Sequence, residues 1–238
     1  MKTCDELVIG QNPEKLQQLE LYEPKLYTSV VDPEDILANE GLDVNADEEA
    51  FVGQYTTPKE LTETVLLIED TLKKPLSLVN LIHQKQMKKV LIFAKSIENS
   101  HKLTLMLQAM KIKVSELSSQ LKRGKRGKIL NQFKNDKIDI LVATDALARG
   151  IDIGKIDFVI SYDCPKFVKT YIHRVGRTAR AGQSGRAVTL IENNQLKAFK
   201  MMLKQVGKNH QLEEEQIQVT ENDVVNYEKA LEQAKELT

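Results

Sequence analysis

Short apolar segments recur along this chain from about residue 56 onward, and they limit the folds it can adopt. Candidate strands lie at residues 65–68, 90–93, 138–143, 158–161 and 187–191, and a further strand begins at residues 112–114. Their apolar residues run consecutively and do not alternate with polar ones, which favours strands buried on both faces of a sheet. Helical patterns separate the strands. Together these features predict an α/β domain with a doubly wound, mainly parallel sheet and helices on both faces.

The predicted helices carry apolar residues at helical spacing. Ser96 is placed to cap the helix that follows the strand at 90–93, because a serine hydroxyl accepts hydrogen bonds from the first backbone amides of a helix. Another helix buries Ile129, Leu130 and Phe133 on its inner face, and the last one runs from about residue 195 to residue 206.

The formal net charge is zero, with 34 Lys and Arg against 34 Asp and Glu, yet the charges are segregated. Residues 26–58 contain acidic side chains and no Lys or Arg, which is typical of a flexible linker. Basic residues concentrate at 122–128 and 171–182, so the average charge conceals local surfaces able to bind nucleic acid. We expect an acidic linker over residues 32–55, a folded domain over 56–209 and an acidic helical tail over 210–238.

Several classes of protein are disfavoured by composition. No apolar run approaches the roughly 20 residues that span a bilayer, and the first residues do not form a signal peptide. Cys4 and Cys164 lack metal-ligand spacing, so we expect reduced thiols and no metal site. These features indicate a cytoplasmic or nuclear protein without a membrane partner.

One histidine, three arginines and two glycines crowd into residues 171–182. Cationic side chains this close repel one another, so phosphate or carboxylate oxygens are expected among them. The alternative is a solvated basic face on a surface helix. In an open parallel sheet, ligands bind beyond the carboxyl ends of the strands. This segment, Thr144 and Lys95 all follow predicted strands, and we expect them along one edge of the sheet.

Two segments resemble conserved motifs of DEAD-box RNA helicases. Residues 144–152 read Thr-Asp-x-x-Ala-Arg-Gly-Ile-Asp, as in the fifth motif, and residues 173–180 read His-Arg-x-Gly-Arg-x-x-Arg, as in the sixth. Residues 91–93 resemble the fourth motif. The resemblance covers about residues 56–207, in order and at the family's spacing. Related DEAH-type and DNA-unwinding helicases usually carry Gln where His173 stands.

The resemblance implies a role for each motif residue in binding ATP with Mg²⁺, shared with another domain. Arg177 and Arg180 would be arginine fingers that reach the γ-phosphate across a cleft, a role suited to a permanently charged guanidinium. His173 would contact the acidic ATPase motif of the other domain and couple RNA to ATP. Asp152 would accept a hydrogen bond from the ribose hydroxyl of the nucleotide.

The resemblance also implies that RNA contacts come from a different part of the same edge. Thr144 offers a hydroxyl and neighbouring amides for phosphate oxygens, and Gly150 permits close approach of a backbone. Arg126 is the expected phosphate contact on the third helix, where Arg123 replaces the family's usual Gln. Lys95 adds charge beside them. Aromatic residues make up 5% of the chain and Trp is absent, so we expect contacts to the RNA backbone without sequence preference.

Some parts of a complete helicase do not occur in this sequence. It contains no Gly-x-x-x-x-Gly-Lys-[Ser/Thr] loop for phosphates and Mg²⁺. The Asp-Glu-Glu-Ala run at 47–50 has no preceding apolar strand, so it is not interpreted as the acidic ATPase motif. Residues 1–31 instead resemble the end of the first RecA-like domain of such an enzyme. Residues 11–19 and the Ser-Ser pair at 118–119, where the family usually has His-Gly, resemble the subfamily associated with large ribosomal subunit assembly.

Two functions from different classes fit these residues. The first is the C-terminal half of an ATP-dependent RNA helicase, inactive alone, monomeric, and working with RNA, the N-terminal RecA domain of the same enzyme and ribosome-assembly factors. The subfamily resemblance implies a nuclear, nucleolar location for it. The second is a non-catalytic RNA- or protein-binding module that acts without the first domain. A reading frame upstream that encodes a phosphate-binding loop would favour the first.

Overall fold

The computed structural model describes residues 57–58, 60–148, 152–180, 182–204 and 213–236. All of them belong to one compact unit that spans residues 55–238. The expectations for residues 1–31 and 32–55 lie outside the described residues. No helix in the described part of the chain is long and apolar enough to cross a membrane.

Strands and helices alternate along the described chain. In order they are β1 (Leu61–Ile68), a 3₁₀ helix (Thr71–Lys73), α1 (Lys74–Gln84), β2 (Val90–Phe93), α2 (Ile97–Ala109), β3 (Val114–Leu117), α3 (Arg123–Lys134), β4 (Ile140–Ala143), α4 (Asp145–Ala148), β5 (Phe158–Ser161), α5 (Val168–Val175), β6 (Gly185–Glu192), α6 (Leu196–Lys204), β7 (Glu213–Glu214) and α7 (Glu221–Glu236).

The described strands form one seven-stranded sheet in the order β3-β4-β2-β5-β6-β1-β7, and every pair is parallel. Side chains of successive strand residues enter opposite cores: Val90 and Ile92 contribute to one, Leu91 and Phe93 to the other. The first core also contains residues of α1, α2 and α7, and the second contains residues of α3, α5 and α6. The prediction of a parallel α/β sheet with helices on both faces is therefore confirmed.

Local signals explain where several elements begin. Ser96 caps α2, since its Oγ accepts a hydrogen bond from the amide of Asn99 at 3.1 Å. The predicted start of β3 at residue 112 is two residues early, because Lys111 takes a positive φ of 62° and the amide of Ile112 bonds back to Leu107. The β4 strand likewise starts at Ile140, not at residue 138, after Asp136 with its φ of 58°.

The acidic tail is partly strand as well as helix. The short strand β7 adds to the edge of the sheet beside Thr64 and Val65 of β1. Glu215 follows it, and its carboxylate accepts hydrogen bonds from Thr64 Oγ1 and Lys85 Nζ, each at 2.9 Å. Helix α7 then packs on α1 and α2 with Tyr227 buried in their core. The described part of the acidic tail is therefore packed on the domain.

Candidate functional site

The carboxyl ends of β3, β4, β2 and β5 are neighbours in the sheet, so the residues that follow these strands lie along one edge. Thr144 directly follows β4 and is half-buried. Lys95 follows β2, and its side chain is exposed. The amide of Lys95 donates a hydrogen bond of 2.8 Å to Asp163 Oδ2, which ties the end of β2 to the end of β5. The structure therefore brings Thr144 and Lys95 together, as expected.

The first turn of α3 brings positive charge to the same edge. Lys122, Lys125 and Lys128 are exposed, and Arg126 is half-buried. The Nη2 atom of Arg126 approaches the carbonyl oxygens that follow β3 only at 3.4 and 3.5 Å, at the limit of hydrogen bonding. A helix N-terminus with several cations and no acidic residue favours an anion. The side chain of Arg123 lies outside the described part of the chain, as does Gly150.

Arg174 has a different environment from the other two arginines of the cluster. Its side chain is 4% exposed, and its Nε and Nη2 atoms donate to the two carboxylate oxygens of Asp145 at 2.7 and 2.9 Å. Its Nη1 donates to the carbonyl oxygen of Asp163 at 2.6 Å, and its guanidinium lies 5.2 Å from the ring centre of Phe93. The anion expected among the arginines is thus, for Arg174, a carboxylate of the same chain. No expectation from the sequence included this ion pair, although Asp145 directly after Thr144 was an available signal.

Helix α5 leads from the carboxyl ends of the strands, which we call the carboxyl edge, towards the loop that contains Arg177 and Arg180. It begins after β5 and ends at Val175, with His173 and Arg174 in its last turn and Gly176 as the residue that follows it. Gly176 keeps an ordinary φ of −67°. The inner face of α5 is held by Tyr171, which packs edge-on against Phe199 and donates a hydrogen bond from its hydroxyl to Glu63 of β1.

The expectation that the whole cluster lies along one edge is wrong. The connection from β5 to β6 must return from the carboxyl ends to the amino ends of two parallel strands. Thr178 accordingly donates a hydrogen bond of 2.7 Å to the carbonyl oxygen of Ile156, just before β5 begins. Arg177 and Arg180 flank this point, so they lie near the amino ends of the strands.

The loop that carries these two arginines is held by backbone contacts. The Nε of Arg177 donates to the carbonyl oxygen of His173 at 3.2 Å, and the Nε of Arg180 donates to that of Gly176 at 2.7 Å. Gly185 closes the loop: a Cβ built there would lie 2.2 Å from Thr178 Oγ1. This approach requires glycine and fixes the loop against the start of β6.

Asp152 lies on the segment between α4 and β5, and its side chain is 82% exposed. One carboxylate oxygen accepts from Lys134 Nζ at 2.7 Å and the other from the Gly154 amide at 3.1 Å. These hydrogen bonds hold the pKa of Asp152 below its usual value of 3.8. The carboxylate is thus ionised at neutral pH and oriented by two donors.

The described residues contain no group of three or more His, Cys, Asp or Glu side chains that could hold a metal ion. Cys164, a free thiol, is half-buried, and burial raises its pKa to about 11. The site thus offers guanidinium donors, one oriented carboxylate and a basic helix end. Such an arrangement suits phosphates and sugar hydroxyls.

The comparisons with known proteins agree with this chemistry. Residues 73–182 match the family model described as the helicase conserved C-terminal domain. The human ATP-dependent RNA helicase DDX51 is 41% identical over 233 residues, which cover 96% of this chain and 33% of that protein. A crystal structure of the E. coli DEAD-box protein SrmB bound to regulator of ribonuclease activity A is 31% identical, with a TM-score of 0.58 over 66% of this chain and 91% of that chain.

The chain belongs to the DEAD-box family. It forms a domain of the kind found as the C-terminal RecA-like domain of DEAD-box proteins, as its resemblance to the fifth and sixth motifs predicted. The chain spans about a third of the length of the curated relatives that it matches. Domain 2 of the DEAD-box helicase Mss116p bound to an RNA duplex has the same fold, with a TM-score of 0.59 and 26% identity over 71% of this chain and 69% of that chain.

Within this DEAD-box domain six of the predicted site residues fall into two groups. The carboxyl-edge group comprises Thr144, Lys95 and Arg126. The amino-end group comprises Asp152, Arg177 and Arg180. Two helices connect the groups, since α3 runs from Arg126 to the Lys134 that bonds Asp152, and α5 runs from the carboxyl edge to the arginine loop.

Proposed function

We propose that this DEAD-box domain binds the RNA backbone with its carboxyl-edge group and completes an ATPase site with its amino-end group. In this proposal ATP and Mg²⁺ are held by an N-terminal RecA-like domain of the same enzyme. Arg177 and Arg180 act as arginine fingers on the γ-phosphate, Asp152 accepts from the ribose hydroxyl, and His173 couples the two domains.

The division among the three arginines of the cluster carries the nucleotide half of the proposal. Arg174 is committed to Asp145 inside the domain, whereas Arg180 is exposed and takes part in none of the described ion pairs. The Nε atoms of Arg177 and Arg180 bond to backbone carbonyl oxygens of the α5 end, which orients both guanidinium groups before any ligand binds. Such preorganised donors stabilise charge that develops on phosphoryl oxygens.

The described residues supply no carboxylate cluster for a metal ion, and the sequence contains no phosphate-binding loop. For this reason we assign Mg²⁺ and most phosphate contacts to the first domain and propose that this chain alone hydrolyses no ATP.

The carboxyl-edge group supports the RNA half of the proposal. The three residues of this group come after neighbouring strands of the sheet: Arg126 after β3, Thr144 after β4 and Lys95 after β2. Neighbouring strands lie about 4.8 Å apart. The contacts of these three residues to phosphates would not depend on base identity. The low aromatic content fits the same reading. The sequence resemblance to helicases of large ribosomal subunit assembly leads us to propose a structured ribosomal RNA precursor as substrate, and assembly factors as partners in the nucleolus.

Turnover tests the nucleotide half. The chain is joined to the first RecA-like domain of a DEAD-box relative, and RNA-stimulated ATP hydrolysis is measured with Arg177→Ala and Arg180→Ala. Arginine fingers contribute about 10³ to 10⁵ in rate, so we expect loss of turnover with RNA affinity retained. Unchanged turnover in both variants would remove the finger assignment.

A second function is favoured by the relative whose domain 2 alone is seen with an RNA duplex. In that case this DEAD-box domain acts as an RNA-binding module without catalysis. Binding of the 238-residue chain to an RNA duplex, measured against salt, examines it. Tight binding by the chain alone, unaffected by adding the first domain and ATP, would favour the module over the helicase half.

A further inference from the structure

The Lys134 side chain begins at a fixed point at the end of α3. Its neighbour Phe133 is fully buried. Lys89 Nζ donates to the carbonyl oxygens of Phe133 and Lys134 at 2.6 and 3.1 Å and forms an ion pair with Asp136 at 2.9 Å. These contacts satisfy carbonyl groups that a helix end leaves without partners, so the backbone at Lys134 is anchored.

The Lys134 side chain packs against the backbone of Gly154. A Cβ at Gly154 would lie 3.2 Å from Lys134 Cγ and 3.3 Å from its Cε, and the φ of Gly154 is +88°. The methylene groups of Lys134 therefore pass directly over a glycine in a backbone conformation that other residues rarely adopt. The side chain ends with Nζ at 2.7 Å from Asp152 Oδ2.

The carboxylate of Asp152 accepts one hydrogen bond on each of its two oxygens. Lys134 donates to Oδ2 and the Gly154 amide donates to Oδ1. Lys134 and Asp152 are 43% and 82% exposed, and ion pairs this exposed contribute little to folding. What the two donors do achieve is a fixed direction for the two remaining lone pairs of the carboxylate.

We propose that Lys134 is a positioning residue for the nucleotide: together with the Gly154 amide it holds Asp152 so that the carboxylate meets the ribose hydroxyls of ATP. This inference rests on the proposed function, in which Asp152 is the ribose contact. It adds a residue outside the two motifs and connects the nucleotide to α3, whose other end carries Arg126.

Lys134 also adds chemistry of its own to the ribose site. An ammonium group has three donor hydrogens, and one of them is used on Asp152. A neighbouring donor and acceptor match a pair of adjacent hydroxyls, one of which donates to the carboxylate while the other accepts from the ammonium. The sugar specificity should therefore depend on Lys134 as well as on Asp152.

The test compares ATP with 2′,3′-dideoxy-ATP in the chain joined to a first RecA-like domain, at saturating RNA. We expect the wild-type protein to show a KM for the dideoxy nucleotide about tenfold above that for ATP. Asp152→Ala should abolish that preference. Lys134→Met should remove most of the preference for ATP over the dideoxy nucleotide and raise the KM for ATP several-fold with kcat unchanged. Lys134→Arg, which keeps a cationic donor, should retain the preference.

Lys102→Met is the matched control, because Lys102 also forms an exposed ion pair, with Glu98 at 2.6 Å, on another helix. It should leave both KM values unchanged. Loss of preference in Asp152→Ala with an unaltered preference in Lys134→Met would overturn the role of Lys134 alone. A preference that survives in Asp152→Ala would overturn the ribose contact itself, and the role of Lys134 with it. A fall in kcat without a change in KM for Lys134→Met also contradicts positioning of the ribose.

Discussion

Removing either partner of the buried pair between Arg174 and Asp145 should destabilise the domain, and the two removals should cost different amounts. The guanidinium of Arg174 is 4% exposed, whereas the carboxylate of Asp145 is 29% exposed. Asp145→Ala leaves a charged guanidinium buried with the carbonyl oxygen of Asp163 and the Phe93 ring as its remaining partners. Arg174→Met leaves a carboxylate that water already reaches, and the thioether can pack on the same ring.

The magnitudes follow from the cost of an uncompensated buried charge. Breaking a buried ion pair from one side costs about 3 to 5 kcal/mol, and we assign about 3 kcal/mol to Asp145→Ala because one hydrogen bond survives. We assign about 1 to 2 kcal/mol to Arg174→Met, where the remaining charge is hydrated. With a urea m-value of about 2 kcal/mol/M, these costs lower the midpoint by about 1.5 M and by about 0.5 to 1 M.

Urea unfolding of the 238-residue chain, followed by circular dichroism, measures both changes. The double variant should cost less than the sum of the two single variants, since the residues interact directly. Lys102→Met serves as the surface control and should leave the midpoint unchanged. A larger cost for Arg174→Met than for Asp145→Ala would contradict the burial of an unpaired guanidinium, and strict additivity in the double variant would contradict a direct interaction between the two side chains.

Three further predictions concern packing and pH. Gly185→Ala should cost about 3 kcal/mol or more in urea unfolding, because its Cβ would lie 2.4 Å from a backbone nitrogen; Gly127→Ala, a helical position with nothing within 4 Å, should instead stabilise the chain by about 0.5 to 1 kcal/mol, and equal effects would contradict the clash. Tyr227→Ala should cost about 3 kcal/mol, because the 7% exposed ring of Tyr227 joins α7 to the core, and a loss below about 1 kcal/mol would show that the tail is not part of the domain. Burial raises the pKa of Glu215, but hydrogen bonds from Lys85 and a threonine outweigh burial and hold the pKa below 4.5. The ionised Glu215 therefore stabilises the fold above pH 4.5, and this stabilisation is lost as the pH falls through the lower pKa of the folded state. Glu215→Gln should flatten the dependence of the urea midpoint on pH in acid, and an unchanged slope would contradict this role of Glu215.

The fold was predictable because burial on both faces leaves a clear mark on a strand. The segments at 90–93 and 158–161 agree with β2 and β5 residue for residue. Strand starts were less predictable where a turn depends on positive φ, as at Lys111 and Asp136, since lysine gives no local signal for it and aspartate only favours it more often than most residues. The two-residue strand β7 exists only through its pairing with β1, and no local pattern announces it.

The sequence predicts candidate site residues, but it says less about their geometry. Motif spacing assigns roles to Arg177, Arg180 and Asp152, and these roles stay predictions; it does not indicate which cations form ion pairs within the domain. The pairing of Arg174 with Asp145 and of Lys134 with Asp152 joins residues far apart in sequence, so only the fold reveals it. The separation of the arginine loop from the carboxyl edge follows from the return of the chain to the start of β6, which the strand pattern implied.

The proposed function divides RNA binding and ATP hydrolysis between two groups of residues on one domain. A pair of variants, one in each group, tests this division. In the chain joined to a first RecA-like domain, the RNA dissociation constant and the kcat for ATP hydrolysis at saturating RNA are measured for Arg126→Ala and Arg180→Ala. We expect Arg126→Ala to weaken RNA binding and to leave kcat largely intact. Arg180→Ala should lower kcat by about 10³ or more and leave RNA binding unchanged. Both variants changing both quantities in the same proportion would contradict the division of the site.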